Sequence, residues 1–261
     1  MKVLFIAMIA GIVGLTASAQ ITKKSTIVLV HGAWSDAQVW KAVTPVLETA
    51  GFNVIAVNLP GHGNDTTSFT AINLQLYVDA VKKEIGTAEN VILVGHSMAG
   101  MVISQVAEDL PGKISKLIYL AAYLPANGQS LLDLAKTDAG SHAGKFLHID
   151  QATAAVSVLK EGVVDIFVAD ADKTIQDQFV NAIKPDPLAP FAAPVKLTAG
   201  GFGSIKKVYI YTTNDHAISY QKQKDMAKAG QVNTEHTLTS GHTPFLTVPQ
   251  ELAALLIKEA K

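Results

Sequence analysis

The chain has 261 residues, a formal net charge of −1 and 49% hydrophobic residues, which together predict one large globular domain. The nearly neutral charge gives no basis for expecting a nucleic-acid partner or an acidic surface as a partner. The absence of cysteine excludes disulfides, a thiolate nucleophile, a lipid-modified cysteine and a cysteine–histidine metal cluster.

The N-terminus has the pattern of a secretory signal peptide. Lys2 is followed by an unbroken apolar run from Val3 to Leu15, which is followed by Ala17-Ser18-Ala19. A basic start, a short apolar core and an A-x-A ending are typical of a cleaved export signal. The run is shorter than the roughly 20 residues that a membrane-spanning helix needs. We therefore predict a signal peptide over residues 1–19 and a secreted or periplasmic protein that is not membrane-bound after cleavage.

Six short apolar segments, rich in β-branched residues, follow along the chain. The predicted strands are Thr26–Val30, Asn53–Val57, Asn90–Val94, Lys116–Ala121, Lys207–Thr212 and Thr234–Thr239. Segments with helical spacing separate most of them, and a last helix is predicted at about 250–258, after Pro249. Strands without polar alternation, separated by helices, indicate an α/β fold with a mostly parallel sheet flanked by helices. Such sheets bind ligands at the carboxyl ends of their strands.

One region interrupts this alternation. Between about 124 and 204 the sequence has no strong strand pattern but has a proline-rich stretch at 184–194. Helix-like segments lie at about 129–137, 151–160, 162–169 and 174–184. We predict a small, mostly helical lid insertion over the strand ends, within a single domain of residues 20–261.

A candidate nucleophile follows the third predicted strand, in the stretch Gly95-His-Ser-Met-Ala-Gly100. The G-x-S-x-G pattern presents a serine on a sharp strand-to-helix turn. Ser97 has the required strand before it and a helix after it, but Ala99 stands where the pattern has its second glycine. Because alanine adds only one methyl group, we expect Ala99 to take up packing room without preventing the turn.

Two further strand ends supply the partners of a serine nucleophile. Asp215 follows the fifth predicted strand and His242 follows the sixth, which gives the order Ser…Asp…His. These residues can serve as nucleophile, orienting acid and base, and the backbone after His31-Gly32 can supply donors for an oxyanion. Asp133 and Asp138, in the predicted lid, are the competing carboxylates and are expected to be solvated.

The other histidines have less specific expectations. His31 and His62 adjoin glycines and are expected to brace turns, and His96 is expected to pack or form a hydrogen bond beside Ser97. His236 is expected to be a plain strand residue. Surface positions are expected for His142, His148 and His216. No H-x-x-x-H pair occurs, so no metal site is predicted.

The ordered set of motifs resembles the α/β-hydrolase superfamily, in the branch of plant methylesterases, hydroxynitrile lyases and bacterial esterases. The matching stretches are Val30-His-Gly-Ala-Trp34, Leu59-Pro-Gly-His-Gly63, Gly95-His-Ser-Met-Ala-Gly100, Leu120-Ala-Ala-Tyr-Leu-Pro125, Gly203-Ser-Ile-Lys-Lys-Val-Tyr-Ile210 and Ser240-Gly-His-Thr-Pro-Phe245. The resemblance implies a triad of Ser97, Asp215 and His242, with the N–H groups of Ala33 and Met98 as the oxyanion hole.

The same resemblance favours ester hydrolysis over cyanohydrin cleavage. The lyases of this branch carry lysine directly after the catalytic histidine and glutamate before the serine, where this chain has Thr243 and His96. We expect cleavage of small apolar carboxylic esters through an acyl-enzyme intermediate, with no cofactor and no metal. A lyase and a hydrolase-like ligand-binding protein with little turnover remain the alternatives, and nothing in the sequence predicts an oligomeric state.

The substrate pocket is the least specific part of the prediction. Trp34, near the oxyanion loop, and Leu124, at the start of the lid, are the expected substrate contacts. Leu131, Phe146, Phe167 and Phe191 are further lid candidates that could equally form the core of the lid.

Overall fold

A computed structural model describes residues 25–232 and 234–261, and the predicted signal peptide over residues 1–19 lies outside these ranges. No helix in the described part of the chain has both the length and the apolar content needed to cross a bilayer.

The strands of the described residues are β1 (Thr26–Val30), β2 (Asn53–Val57), β3 (Val91–His96), β4 (Ile114–Leu120), β5 (Leu147–Asp150), β6 (Ala155–Val158), β7 (Asp186–Pro187), β8 (Lys206–Thr212) and β9 (Thr234–Leu238). The α-helices are α1 (Thr44–Thr49), α2 (Leu74–Ile85), α3 (Ala99–Asp109), α4 (Leu131–Ala135), α5 (Lys160–Phe167), α6 (Lys173–Ala182), α7 (Ala189–Ala192), α8 (Tyr220–Ala229), α9 (Pro244–Thr247) and α10 (Pro249–Ala260).

The main sheet has six strands in the order β2-β1-β3-β4-β8-β9, and every neighbouring pair is parallel. This confirms the predicted α/β fold with a mostly parallel sheet between helices. Because the strands share one direction, their carboxyl ends form a single edge, and the loops that carry Ser97, Asp215 and His242 all leave from it.

Apolar cores on both faces of the sheet explain why its central strands lack polar alternation. In β1, Ile27 lies in the same core as Leu252 of α10, whereas Val28 lies in a second core with Tyr77 of α2. All five residues of β1 are buried. A strand covered on both faces favours apolar side chains at successive positions, and β1 is continuously hydrophobic from residue 27 to residue 30.

Helix α2 shows how local sequence signals delimit the elements around the sheet. The Asn73 side chain accepts the Leu76 N–H at the N-terminus, and Gly86 ends the helix with φ of 53°. These are the capping roles that asparagine and glycine favour. The buried face carries Leu74, Tyr77, Val78, Val81 and Ile85, the residues whose spacing predicts the helix.

Residues 121–205, between β4 and β8, form what we call the inserted segment. Its helices α4, α5 and α6 overlap three of the predicted helical stretches, but the prediction of a helix at about 151–160 is wrong. There, β6 pairs antiparallel with β5 and β7. The Asp150 carboxylate accepts the N–H groups of Ala152 and Thr153, and Ala154 has φ of 53°, so a turn forms where the helix was expected.

Candidate active site

Ser97 lies in a strained turn between β3 and α3. Its φ of 54° falls in the left-handed region of the backbone, which residues other than glycine rarely adopt. The chain around it packs tightly: a Cβ on Gly95 would lie 2.9 Å from the Ala99 carbonyl oxygen, and one on Gly100 would collide with the Tyr123 carbonyl. The second glycine that this turn needs is therefore at 100. Ala99 is buried without requiring a glycine, which explains the departure from the G-x-S-x-G pattern.

Asp215 and His242 are joined by a hydrogen bond. His242 Nδ1 lies 2.8 Å from Asp215 Oδ2, and both side chains are almost wholly buried. Since a carboxylate only accepts, Nδ1 carries the proton and Nε2 is left as the basic nitrogen. The two residues follow the adjacent strands β8 and β9, so the parallel pairing of these strands brings them together.

The carboxylate of Asp215 is held on both oxygens. Oδ1 accepts the N–H groups of Ala217 and Ile218, and Oδ2 also accepts the Thr212 hydroxyl at 2.8 Å. The Gln223 amide donates to Oδ2 at 3.1 Å. These bonds satisfy a buried charge and fix the carboxylate that orients the imidazole.

Gln223 is a functional position that the sequence reasoning missed. It is fully buried on α8, and its amide bonds to both backbone groups of Thr212, to the Ile218 carbonyl and to Asp215. Met226 and Ala227, three and four residues later, are also buried. The sequence signal that could have identified Gln223 is a polar residue on the apolar face of a helix, where a buried polar group needs hydrogen-bond partners.

His96 links the serine turn to the histidine loop. Its Nε2–H donates to the His242 carbonyl oxygen at 2.8 Å, and the two rings lie 4.6 Å apart. Burial, and secondarily the charge of a protonated His242, hold the pKa of His96 well below its ordinary value. His96 is therefore a neutral bridge, as expected of a residue that packs beside Ser97.

Ala33 and Met98 line the cavity that contains Ser97. Neither of their N–H groups is bonded to a protein acceptor within residues 25–232 and 234–261. Two N–H donors beside a serine are suited to a negative oxygen.

An aspartate of the inserted segment, Asp186, bonds the loop after β1 and forms a buried ion pair with His62. Asp186, fully buried on β7, accepts the Trp34 N–H at 2.6 Å and lies 2.9 Å from His62 Nε2. Both nitrogens of His62 face acceptors, since Nδ1 bonds the Pro60 carbonyl, so His62 carries a positive charge. Burial alone would lower the pKa of His62, but the hydrogen bond and charge of Asp186 outweigh it and raise this pKa.

His31 completes this support. Its Nδ1–H donates to the Gly32 carbonyl and its Nε2 accepts the Leu59 N–H, so it bridges the loops after β1 and β2. Burial, with the charge of His62 as the second cause, lowers its pKa to about 3. Both His31 and His62 brace loops, as the sequence predicts.

A cavity of about 240 Å³ contains Ser97. Its walls come largely from the inserted segment and are mostly apolar; they include Trp34, Tyr123, Leu131, Leu132, Ala135, Leu147, Phe167, Phe191 and Ile218. A larger cavity of about 330 Å³ is also lined by Trp34 but does not include Ser97. The smaller cavity is the candidate site because it holds the serine.

Residues 27–255 of the chain match the alpha/beta hydrolase family. The chain belongs to this family. It is 32% identical to putative methylesterase 11, chloroplastic, of Arabidopsis thaliana over 90% of this chain, but it spans only 63% of that protein's length. It is 28% identical to the pyrethroid hydrolase of Sphingobium wenxiniae, over 87% of this chain and 84% of that protein.

A solved structure is similar as well. The extracellular α/β-hydrolase from a Paenibacillus species, described as sharing structural and functional homology with tobacco salicylic acid binding protein 2, superposes with a TM-score of 0.76. It is 25% identical to this chain, and the match covers 90% of this chain and 98% of that one. Together these similarities show an α/β-hydrolase that is similar in sequence to methylesterases.

One expectation about this hydrolase needs correction. Leu124 is absent from the wall of the Ser97 cavity and is buried against Gly230, because the chain turns into the core after β4. Of the two roles open to Phe146, the structure gives the lid core, since this ring packs against Gly162 and does not line the cavity. His142 and His216 are partly exposed, in agreement with the expected surface positions, and both bond to Asp165.

Three of the four remaining candidates bond to neighbouring residues. Asp133 closes a capping box with Ser130 at the start of α4, and Asp138 accepts two hydrogen bonds from Ser219. His236 bonds Glu259, and His148 is exposed. The two lid carboxylates therefore form hydrogen bonds of their own, whereas Asp215 is the carboxylate that bonds His242.

We expect Asp186→Asn to destabilise the hydrolase. The substitution leaves the buried, charged His62 without its counter-ion, which should lower the free energy of unfolding by about 3 kcal/mol. Urea denaturation followed by circular dichroism measures this change. Asp177→Asn, an exposed position on α6 paired with Lys173, is the matched control and should leave the unfolding free energy nearly unchanged. Equal stability of the two variants would contradict the role of Asp186.

Proposed function

We propose that the chain is a carboxylic-ester hydrolase that works through an acyl-enzyme. The observation that carries this proposal is the hydrogen-bonded Asp215–His242 pair at the sheet edge where Ser97 occupies its strained turn. The similarity to a putative methylesterase and to a pyrethroid hydrolase supports it, because the first name describes ester cleavage and the second describes hydrolysis.

In the proposed mechanism, Ser97 Oγ attacks the ester carbonyl carbon while His242 Nε2 takes the serine proton. Asp215 holds the proton on Nδ1 and stabilises the imidazolium that forms. The carbonyl oxygen becomes an oxyanion, which the N–H groups of Ala33 and Met98 bind. When the oxyanion collapses, the bond to the alcohol oxygen breaks and His242 gives that oxygen its proton.

The second half of the reaction releases the acid. Water attacks the acyl-serine, His242 takes a proton from the water, and the bond between Ser97 Oγ and the acyl carbon breaks as the proton returns to Oγ. The imidazole serves once more as base and acid, so no cofactor takes part in these steps.

The cavity favours small, apolar esters. Phe167 and Phe191 flank the Trp34 ring, with centroids 5.7 and 5.5 Å away, and form an aromatic wall near the serine. A volume of about 240 Å³ suits a short acyl or alcohol group. Burial of that group against aromatic carbon contributes most of the binding free energy.

Thr243 disfavours the lyase alternative. It occupies the position where the hydroxynitrile lyases resembled by this sequence carry lysine, and its hydroxyl donates to the Phe167 carbonyl at 2.8 Å. It is 2% exposed, so it offers neither a charge nor a free donor to a cyanide ion.

Ser97→Ala should reduce hydrolysis of p-nitrophenyl butyrate by a factor on the order of 10⁴ or more, because the nucleophile is lost while the fold is kept. Initial rates at matched protein concentration measure this. Ser141→Ala is the control: its hydroxyl lines the same cavity and bonds the Ala217 carbonyl, so its loss should change the rate less than about ten-fold. Retained activity in Ser97→Ala would contradict the proposed nucleophile.

We also propose that the protein is exported and is cleaved after Ala19. The A-x-A ending of the N-terminal apolar run supports this, as does the extracellular location of the similar Paenibacillus enzyme. In a bacterial host, the intact mass of the exported protein should correspond to a chain starting at Gln20. Recovery of the full-length chain from the cytoplasm alone would contradict export.

A further inference from the structure

Two histidines and one aspartate meet where the inserted segment contacts the Asp215 loop. The Asp165 carboxylate, on α5, bonds His142 Nδ1 at 2.7 Å through one oxygen and His216 Nδ1 at 2.8 Å through the other. The two imidazole rings lie with their centroids 4.4 Å apart and their planes tilted by 34°. The His142 N–H also donates to the His216 carbonyl at 2.8 Å, so the backbone holds both rings beside each other.

These groups are the ligands that a divalent transition metal prefers. Two imidazole nitrogens and a carboxylate oxygen, all within 4.8 Å of one another, match the donor types of zinc sites. Ligand atoms on a tetrahedral zinc ion lie roughly 3.3 Å apart, given bonds of about 2.0–2.1 Å. The present N···O contacts of 2.7 and 2.8 Å are shorter, so small side-chain rotations would open room for the ion.

Access fits the same ligand. The side chains of both histidines are 38% exposed and that of Asp165 is 42% exposed, which leaves a path for an ion and for water as a remaining ligand. Neutral imidazoles with their protons on Nε2 would direct both Nδ1 lone pairs to the metal.

We propose that His142, Asp165 and His216 form a binding site for a divalent transition-metal ion, with Zn²⁺ as the best fit. The site lies outside the Ser97 cavity and takes no part in ester cleavage. His216 directly follows Asp215, whereas His142 and Asp165 belong to the inserted segment. A bound ion therefore fixes the inserted segment to the loop that carries the candidate catalytic acid, and it should raise the thermal stability of the folded chain.

Titration of the chelator-treated protein with zinc chloride, followed by calorimetry, tests the site. The unsubstituted protein should bind one Zn²⁺ per chain with a rise in melting temperature, and Mg²⁺, which prefers oxygen ligands, should produce neither effect. His142→Gln keeps a donor for Asp165 but removes the imidazole, so it should weaken zinc binding by at least about ten-fold.

His148→Ala is the matched control, because His148 is an exposed histidine on the same segment, outside the cluster. It should bind zinc as the unsubstituted protein does. Circular dichroism first establishes that each variant is folded. Asp165→Asn is measured as a second cluster variant, so the test does not depend on whether His142→Gln folds. The proposal is overturned if the unsubstituted protein binds no stoichiometric zinc, or if zinc binding survives both cluster substitutions.

Discussion

All six strands of the main sheet run in one direction, and this constraint decides where the polar groups of the chain can meet. Their carboxyl ends share one edge, so residues more than a hundred positions apart in the sequence converge there without a dedicated scaffold. Asp215 and His242 follow adjacent strands and bond directly. Ser97 follows β3, and His96 beside it bonds the His242 backbone, which ties the serine turn to the same group.

The inserted segment forms much of the cavity wall and also bonds to the loops that carry the candidate catalytic residues. Asp186 bonds the loop after β1, Asp165 bonds His216, and the Asp170 carboxylate accepts the Gly241 N–H at 2.7 Å. Each contact reaches a residue next to a candidate catalytic or oxyanion group. Because carboxylate hydrogen bonds are stronger than neutral ones, this segment can set the positions of three loops at once. The cavity wall and the geometry of these loops are therefore linked in one part of the chain.

The sequence predicts the elements whose signals are local. Continuous apolar runs identify the strands, and strand–turn–helix context identifies the turn at Ser97. Asp186 could not be predicted in this way, because its partner His62 lies 124 residues away and a lone aspartate among prolines indicates only a loop. The pairing of Asp165 with His216, which are separated by 51 residues, could not be predicted from the sequence either. The β6 strand was mistaken for a helix because its turn and its pairing partners, not its composition, determine its conformation.

Acylation of Ser97 is the central claim of this account, and covalent trapping tests it most directly. A fluorophosphonate should react once per chain, with loss of fluoride and formation of a bond from phosphorus to Ser97 Oγ, and ester hydrolysis should fall in proportion to labelling. Peptide mass spectrometry locates the modified residue. Labelling should be strongly slowed in His242→Ala, which lacks the base. Inactivation without a label on Ser97, or full labelling of Ser97 with unchanged hydrolysis, would contradict the account.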